Sequence, residues 1–244
     1  MKLLEHCIIP DWPAGVNVKT LQTTRPGGYS NAPYDSLNLG DHVGDSPMSV
    51  ARNRMLLNTL LPSEPVWLNQ VHGTVVAKAD MAGCLPQADA CIARHRDAVC
   101  VVMTADCLPV LLCDKQGSVV GAAHAGWKGL AAGVIQAAVQ VMEVAPQNLM
   151  AWMGPAISQQ AFEVGDEIRT LFVEADAKTA GAFIAGQPGK WFADIYALAR
   201  LRLNELGITR IYGGGYCTYR ERERFFSYRR DGATGRMGTF IWLE

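Results

Sequence analysis

The stretch M-T-A-D-C-L-P-V-L-L-C-D (Met103–Asp114), the turn K-Q-G (115–117) and S-V-V-G-A-A-H-A-G-W-K-G (Ser118–Gly129) decide how this chain folds. Leu108–Cys113 and Ser118–Ala123 are short apolar runs rich in Val, Leu and Cys. Asp114-Lys115-Gln116-Gly117 between them has the composition of a hairpin turn. With Ala98–Thr104 just upstream, they read as strands at the centre of a sheet covered on both faces, because few charges interrupt them. Each stretch also carries one residue that a core does not need, Cys107 just before the first run and His124 just after the second.

Working outward, Lys128–Val144 repeats apolar residues at helical spacing (Leu130, Val134, Ala137, Ala138, Val141) and stops at Pro146. Leu149–Met153 reads as a strand, Asp166–Ala177 as a helix, and Phe192–Leu206 as another helix capped by Gly207. Ile208–Tyr212 is a further strand. Phe225–Asp231 and Met237–Leu243, joined through Gly232–Gly235, read as a closing β-hairpin. Upstream, Val16–Leu21 alternates like a strand, Arg25–Asn31 is a Gly/Pro loop, and Ser36–Gly40 is a short strand or turn. Ser46 as N-cap and Pro47 at the first helical position open a helix through Val50, Met55, Leu56 and Leu60. Pro65–His72 reads as a strand, Val75–Ala79 as extended, and Asp89–Ala93 as an edge or short strand. No repeat, low-complexity tract or linker interrupts residues 1–244, so the expectation is a single α/β domain.

A hydrophobic fraction of 49% with 18% charged residues is enough for a sizeable core and excludes a disordered chain. The formal net charge of -1 gives no electrostatic reason to expect nucleic acid or an anionic membrane as partner. No apolar run reaches the ~18 residues that cross a bilayer, and Met1–His6 lacks the features of a secretory signal. Seven scattered cysteines, without a C-x-x-C pair, point to free thiols in a reducing cytoplasm.

Cys107, His124 and His72, the last again inside an apolar run, supply a thiolate and two imidazoles, the protein ligand set of a zinc ion with one open position. The same residues allow a metal-free Cys–His pair in which His124 or His72 activates Cys107 as nucleophile. Asp106, a carboxylate in an apolar run, needs a partner. In an extended chain it points away from Cys107, which makes it a substrate or supporting group. Gly126 and Gly129 keep bulk away from His124, and the helix start that follows can receive an anion. Arg25, Tyr29 and Asn38 could line a pocket from the Gly/Pro loop. Alternation after Phe225-Phe226-Ser227-Tyr228 turns one of Arg229 and Arg230 toward a pocket and the other toward solvent. His6, His42 and His95 lie in loop-like surroundings, and residues 220–224 form a mixed-charge surface loop.

L-N-Q-V-H-G (68–73), M-T-A-D-C-L-P-V (103–110), A-A-H-A-G-W-K-G (122–129), M-G-P-A-I (153–157), F-E-V-G (162–165), F-F-S-Y-R-R-D (225–231) and T-G-R-M (234–237) occur in that order. By these motifs the chain resembles the laccase-domain family, also called polyphenol-oxidase-like or peptidoglycan editing factor. The resemblance implies a mixed-sheet α/β sandwich with flanking helices, similar to a class of cysteine hydrolases. It implies zinc held by His72, Cys107 and His124, and purine nucleoside chemistry. That chemistry covers phosphorolysis of adenosine, inosine, guanosine and methylthioadenosine, and deamination of adenosine. With five histidines, the chain lacks the ligand sets of a multi-copper cluster. On this basis Asp106 is expected to protonate leaving ammonia in deamination. Arg229 or Arg230 is expected to hold phosphate in phosphorolysis. The alternatives are a hydrolase of mis-acylated UDP-muramoyl-serine, a metal-free Cys–His hydrolase, and a non-catalytic zinc- and ligand-binding module.

Overall fold

The computed structural model describes residues 3–81 and 85–244; Cys84 and the first two residues of the N-terminal stretch lie outside them. In chain order, strands β1 (Cys7–Ile8) and β2 (Val18–Thr23) precede helix α1 (Pro47–Leu57). Then come β3 (Val76–Lys78), β4 (Ala90–Ala93), β5 (Cys100–Thr104), β6 (Leu108–Asp114) and β7 (Val120–Ala125). Helices α2 (Trp127–Ala132) and α3 (Val134–Met142), strands β8 (Leu149–Met153) and β9 (Glu163–Gly165), and helix α4 (Asp166–Ala175) follow. The chain continues through β10 (Phe183–Ala185), β11 (Lys190–Ala193), α5 (Ile195–Glu205), β12 (Ile211–Gly213), the short α6 (Tyr228–Asp231) and β13 (Met237–Leu243).

Six strands form a mixed sheet in the order β12-β8-β6-β7-β4-β3, and four form an antiparallel sheet in the order β1-β2-β13-β5. A small sheet, β10-β11-β9, is not hydrogen-bonded to either and packs Val164, Phe183 and Ala193 into the core of the six-stranded sheet. The side-chain period of two sorts these strands into layers. On β6, Leu108, Val110 and Leu112 join the α2, α3 and α5 residues Leu130, Ile135, Val139, Leu198 and Leu203 in one core. Leu111 and Cys113 face the other way and meet Cys100, Val102, Ile241 and Leu243 of the four-stranded sheet. The outer face of that sheet (Leu21, Val101, Met103, Phe240) is covered by Leu57 of α1 and by Leu37, Leu39 and Trp67. The result is a helix–sheet–sheet–helix sandwich. Both sheets are buried on both faces, which explains the near-continuous apolar runs. Cys91, Cys100 and Cys113 lie in the core between the sheets as small apolar side chains. No helix is long and apolar enough to cross a membrane among the described residues.

Several local expectations give way to tertiary packing. The C-terminal β-hairpin does not form: residues 228–231 coil into one helical turn, and β13 runs between β2 and β5 instead. β13 pairs on both edges, Thr239–Leu243 with β2 and Met237–Ile241 with β5, which uses more of its backbone groups than a two-stranded hairpin could. The long helix from Lys128 is two helices, broken at Gly133, which takes a left-handed conformation (φ +97°). Pro65–His72 is not a strand; two isolated bridges, Val66 to Cys100 and Asn69 to Gln87, hold it in place. Phe192 belongs to β11, so the helix after it begins only at Ile195, capped by the Asp194 side chain. Ser46 occupies the N-cap of α1 without a side-chain capping bond, and Met55 on that helix is exposed. Buried Asn53 fixes α1 instead, bonding Tyr29 N, Ser30 Oγ and the carbonyls of Ser36 and Asn38.

Candidate functional site

The loop 69–73, the β5–β6 connection and the end of β7 meet at one edge of the two large sheets. There the ligand atoms of His72, Cys107 and His124 lie within 4.8 Å of one another. Cys107 Sγ is 3.9 Å from His72 Nε2, and the two imidazole rings meet edge to face with centroids 4.8 Å apart. Two imidazoles and one sulfur at this spacing suit a single metal ion with one coordination position left for substrate or water.

Asp89, fully buried ahead of β4, organises two of these residues. Its carboxylate accepts the backbone N–H groups of Val71 (3.1 Å), His72 (2.9 Å) and Gly73 (2.7 Å). The left-handed backbone of His72 (φ +60°) lets three successive N–H groups converge on one anion. The same carboxylate lies 2.8 Å from His124 Nδ1. It fixes the tautomer with the proton on Nδ1 and leaves Nε2 to face the cluster, the usual arrangement for a metal-bound histidine. Burial alone would raise the Asp89 pKa, but the His124 contact and the backbone donors hold it below the ordinary carboxylate value.

Burial by itself would raise the Cys107 pKa as well. The charge and hydrogen bond of His124, with those of His72, outweigh burial and bring the thiol down to about 6. For His124, burial works against the charged form, but the Cys107 thiolate and Asp89 raise it to about 9. The polypeptide thus favours the thiolate that a metal ligand or a nucleophile requires. Gly126 completes the site by its lack of a side chain, since a Cβ there would sit 2.9 Å from both Cys107 Sγ and the His72 ring.

Two cavities meet at Cys107. The larger, about 380 Å³, contains the cluster and is walled by Gln70, Thr104, Arg236 and exposed His42 and Tyr228. The smaller, about 150 Å³, is lined by Trp127, Phe162, Ile157 and Ile195, with Asp106 and Arg229 as its charged groups. Ala105, Cys107 and Tyr228 border both.

Asp106 is not in an extended segment (φ +102°). Its oxygens accept from Thr218 Oγ1 (2.6 Å) and Arg229 N (2.7 Å), which ties the β5–β6 connection to the C-terminal segment. Alternation does not govern Arg229 and Arg230, because they sit on a helical turn. Arg229 lines the smaller cavity over Phe162, with Nη1 donating to Glu163 O. Arg230 is turned inward, paired with Asp231 and bonded to the carbonyls of Thr218, Tyr219 and Phe225. Arg25 pairs with Asp35 and stacks on Phe226. Asn38, fully buried, accepts from the backbone N–H groups of Gly40 and Arg236. The side chains of Arg25, Asn38 and Arg230 therefore brace loops and do not line either cavity.

Sequence reasoning passed over Asp89, Gln70, His42 and Arg236. Asp89 carries the signal that singled out Asp106, a carboxylate in an apolar run, here Ala88-Asp89-Ala90. Gln70 pairs through both amide atoms with the Met103 backbone and clamps the His72 loop to β5. Nothing in its sequence neighbourhood announces this.

Comparison with known proteins agrees with this architecture. The chain is 53% identical over 246 residues to an Escherichia coli protein named purine nucleoside phosphorylase YfiH, covering 98% of this chain and all of that one. It is 50% identical over 238 residues to a Pseudomonas aeruginosa protein named purine nucleoside phosphorylase, covering 97% and 98% of the two. A crystal structure of a Neisseria meningitidis protein superposes with a TM-score of 0.95 at 52% identity, covering 98% of this chain and 99% of the other. The structure of YlmD from Geobacillus stearothermophilus gives 0.85 at 30% identity, covering 95% and 94%. The family model described as multi-copper polyphenol oxidoreductase laccase matches residues 19–244. The described residues hold one three-ligand cluster, too few donors for the several copper ions of that description. With its sandwich fold, its motifs and this match over nearly its whole length, the chain belongs to the multi-copper polyphenol oxidoreductase laccase family.

Proposed function

We propose that the chain is a zinc-dependent purine nucleoside phosphorylase, a single domain working in the cytoplasm, with its reaction centre where the two cavities meet. The near-full-length identity to two proteins named purine nucleoside phosphorylase carries this reading. The donor set of His72, Cys107 and His124 suits zinc, which when bound would act as a Lewis acid on an oxygen of the substrate or of phosphate. Asp89 keeps His124 in the right tautomer, and Gln70 holds the His72 loop in register. Trp127 and Phe162 in the smaller cavity offer the aromatic faces that a purine ring packs against. The larger cavity, with Gln70, Thr104 and Arg236 in its wall, suits ribose and phosphate.

In phosphorolysis an oxygen of hydrogen phosphate forms the bond to C1′ as the C1′–N9 bond breaks. The bonding pair goes to the purine, which takes up the proton that the phosphate gives up, leaving free base and ribose 1-phosphate. Asp106, on the wall of the smaller cavity, is the group assigned to pass that proton to the base. Adenosine, inosine, guanosine and methylthioadenosine share the scissile bond and are the proposed substrates. Deamination of adenosine is the proposed side activity: water adds at C6, the C6–N6 bond breaks, and Asp106 protonates the departing amino group, giving inosine and ammonia. The test is chromatography of products from adenosine or inosine with phosphate, using metal-quantified protein and a Cys107→Ala control. Free base and ribose 1-phosphate, lost in the control, are expected; no base release from zinc-loaded protein would overturn the assignment.

A second reading, a metal-free cysteine hydrolase, draws on the closeness of Cys107 Sγ to His72 Nε2. Full activity after complete removal of metal would favour it.

A further inference from the structure

Phosphorolysis needs a second subsite for an anion, and one arginine lies in the same cavity as the candidate metal ligands. Arg236 lines the larger cavity with His72, Cys107 and His124. Its backbone N–H is held by Asn38 Oδ1 at 2.9 Å, and Nη1 donates to the carbonyls of Thr234 (2.9 Å) and Gly235 (3.0 Å). That leaves Nε–H and the Nη2 hydrogens, the two-donor fork that matches phosphate, without a partner among the described residues. Among the described residues no carboxylate lies within ion-pair distance of this guanidinium or of Arg229 in the smaller cavity, whereas Arg25, Arg54 and Arg230, outside both cavities, each have one. The Tyr228 ring lies 5.9 Å from the guanidinium carbon, and Cys107, Asp106 and Tyr34 are close enough to act on its charge without bonding it. A half-buried guanidinium with an unused two-donor fork is suited to take a bidentate anion from the cavity.

A second observation is independent of the first. Thr104 is 1% exposed, its Oγ1 has no hydrogen-bond partner, and it lines the same cavity. The β13–β5 register pairs Thr104 with Met237, so Arg236, one residue earlier, arrives beside it at the mouth of the sheet. An orphan hydroxyl and an unmatched guanidinium fork share a cavity with a candidate metal centre. We infer that Arg236 and Thr104 form the orthophosphate subsite of this cavity, an inference that rests on the phosphorylase reading. The fork binds two phosphate oxygens and the Thr104 hydroxyl donates to one of them. Asn38 then acts as a positioning residue, holding the backbone of Arg236 and not the ligand.

The experiment combines calorimetric titration of inorganic phosphate into zinc-loaded protein with steady-state KM for phosphate and for inosine. Arg236→Gln should weaken phosphate binding by roughly 10–100-fold, the loss of a charge-assisted pair, with inosine KM within about twofold. Arg236→Lys should recover only part of the loss, since an ammonium lacks the fork. Thr104→Val should weaken phosphate binding by roughly tenfold, one hydrogen bond from a neutral hydroxyl to a charged oxygen. Arg220→Gln, an exposed arginine outside this cavity, is the control and should change nothing. Metal content and circular dichroism identify a misfolded variant, in which case Arg236→Lys and Thr104→Val carry the test. Unchanged phosphate affinity in folded Arg236→Gln, or no phosphate binding by the unmodified protein, overturns the subsite and leaves the phosphorylase reading to its own product assay. Phosphate binding that depends on Arg236, without release of base, upholds the anion subsite and overturns the phosphorylase.

Discussion

Asp89 shows how much one side chain can organise. Three backbone donors and His124 Nδ1 converge on its carboxylate, so it sets both the His72 loop and the tautomer of His124. Asp89→Asn replaces an acceptor oxygen by a donor NH₂ and removes the charge. Metal affinity is expected to fall on the order of 10–100-fold, measured by competition with a chromophoric chelator; unchanged affinity would show that Asp89 only shapes the loop. Gly126 acts in the opposite sense, by absence. Its backbone (φ -63°, ψ 160°) would accept any residue, so the effect of Gly126→Ala comes from the Cβ meeting Cys107 Sγ and His72. That variant should stay folded but bind less than one metal ion per chain by elemental analysis.

Among the elements, the β6–β7 hairpin carries the central register, and Asp114 closes it. One carboxylate oxygen accepts Ser118 N (2.6 Å) and Val119 N (3.0 Å), and the other accepts Ser118 Oγ (2.8 Å). Burial would raise the Asp114 pKa, yet these donors win and hold it below the ordinary value. A carboxyl with a depressed folded pKa contributes stability that is fully present above its unfolded value, about 3.9. That contribution is lost as pH falls through the folded pKa. Asp114→Asn should therefore cost roughly 1–3 kcal/mol at pH 7 and progressively less on acidification below pH ~4, as read by urea unfolding at several pH values. An equal loss at pH 7 and in acid would mean that shape rather than charge matters at this turn.

At the scale of the molecule, β13 holds the four-stranded sheet together from the far end of the sequence. Phe240 on it is fully buried and meets Trp67 edge to face at 6.0 Å. Phe240→Ala should cost about 3–5 kcal/mol, seen as a lower urea midpoint; a loss below ~1 kcal/mol would mean that the layer under α1 can collapse around the gap. The candidate metal ligands come from three separate segments, residues 69–73, the β5–β6 connection and β7. An ion there binds only the folded arrangement, so chelation should lower Tm, and re-addition of zinc should restore it in proportion to ln(1 + [Zn²⁺]/Kd). A Tm indifferent to metal would argue against a bound ion.

Much was legible in the chain because some signals are local. Strands β5, β6, β7 and β8 announced themselves as apolar runs, since both their faces are buried and polar residues are few, Thr104, Asp114 and His124 lying at or near strand ends. Cys107, His124 and His72 stood out because an apolar run does not need them. Local composition could not say that β13 would insert between β2 and β5, since Cys100–Thr104 and Met237–Leu243 pair across more than a hundred residues and the same residues suit a hairpin. Nor could it assign Asp89 to His124, which lies 35 residues away, or turn Arg230 inward and leave Arg236 with a free fork, because those depend on how the C-terminal loops fold against the sheets. The sequence by itself determined which residues could carry chemistry and which runs must be buried. Only the tertiary structure decided which of those side chains meet, because partners for buried charges and edges for strands are supplied by segments that pattern and propensity treat as unrelated.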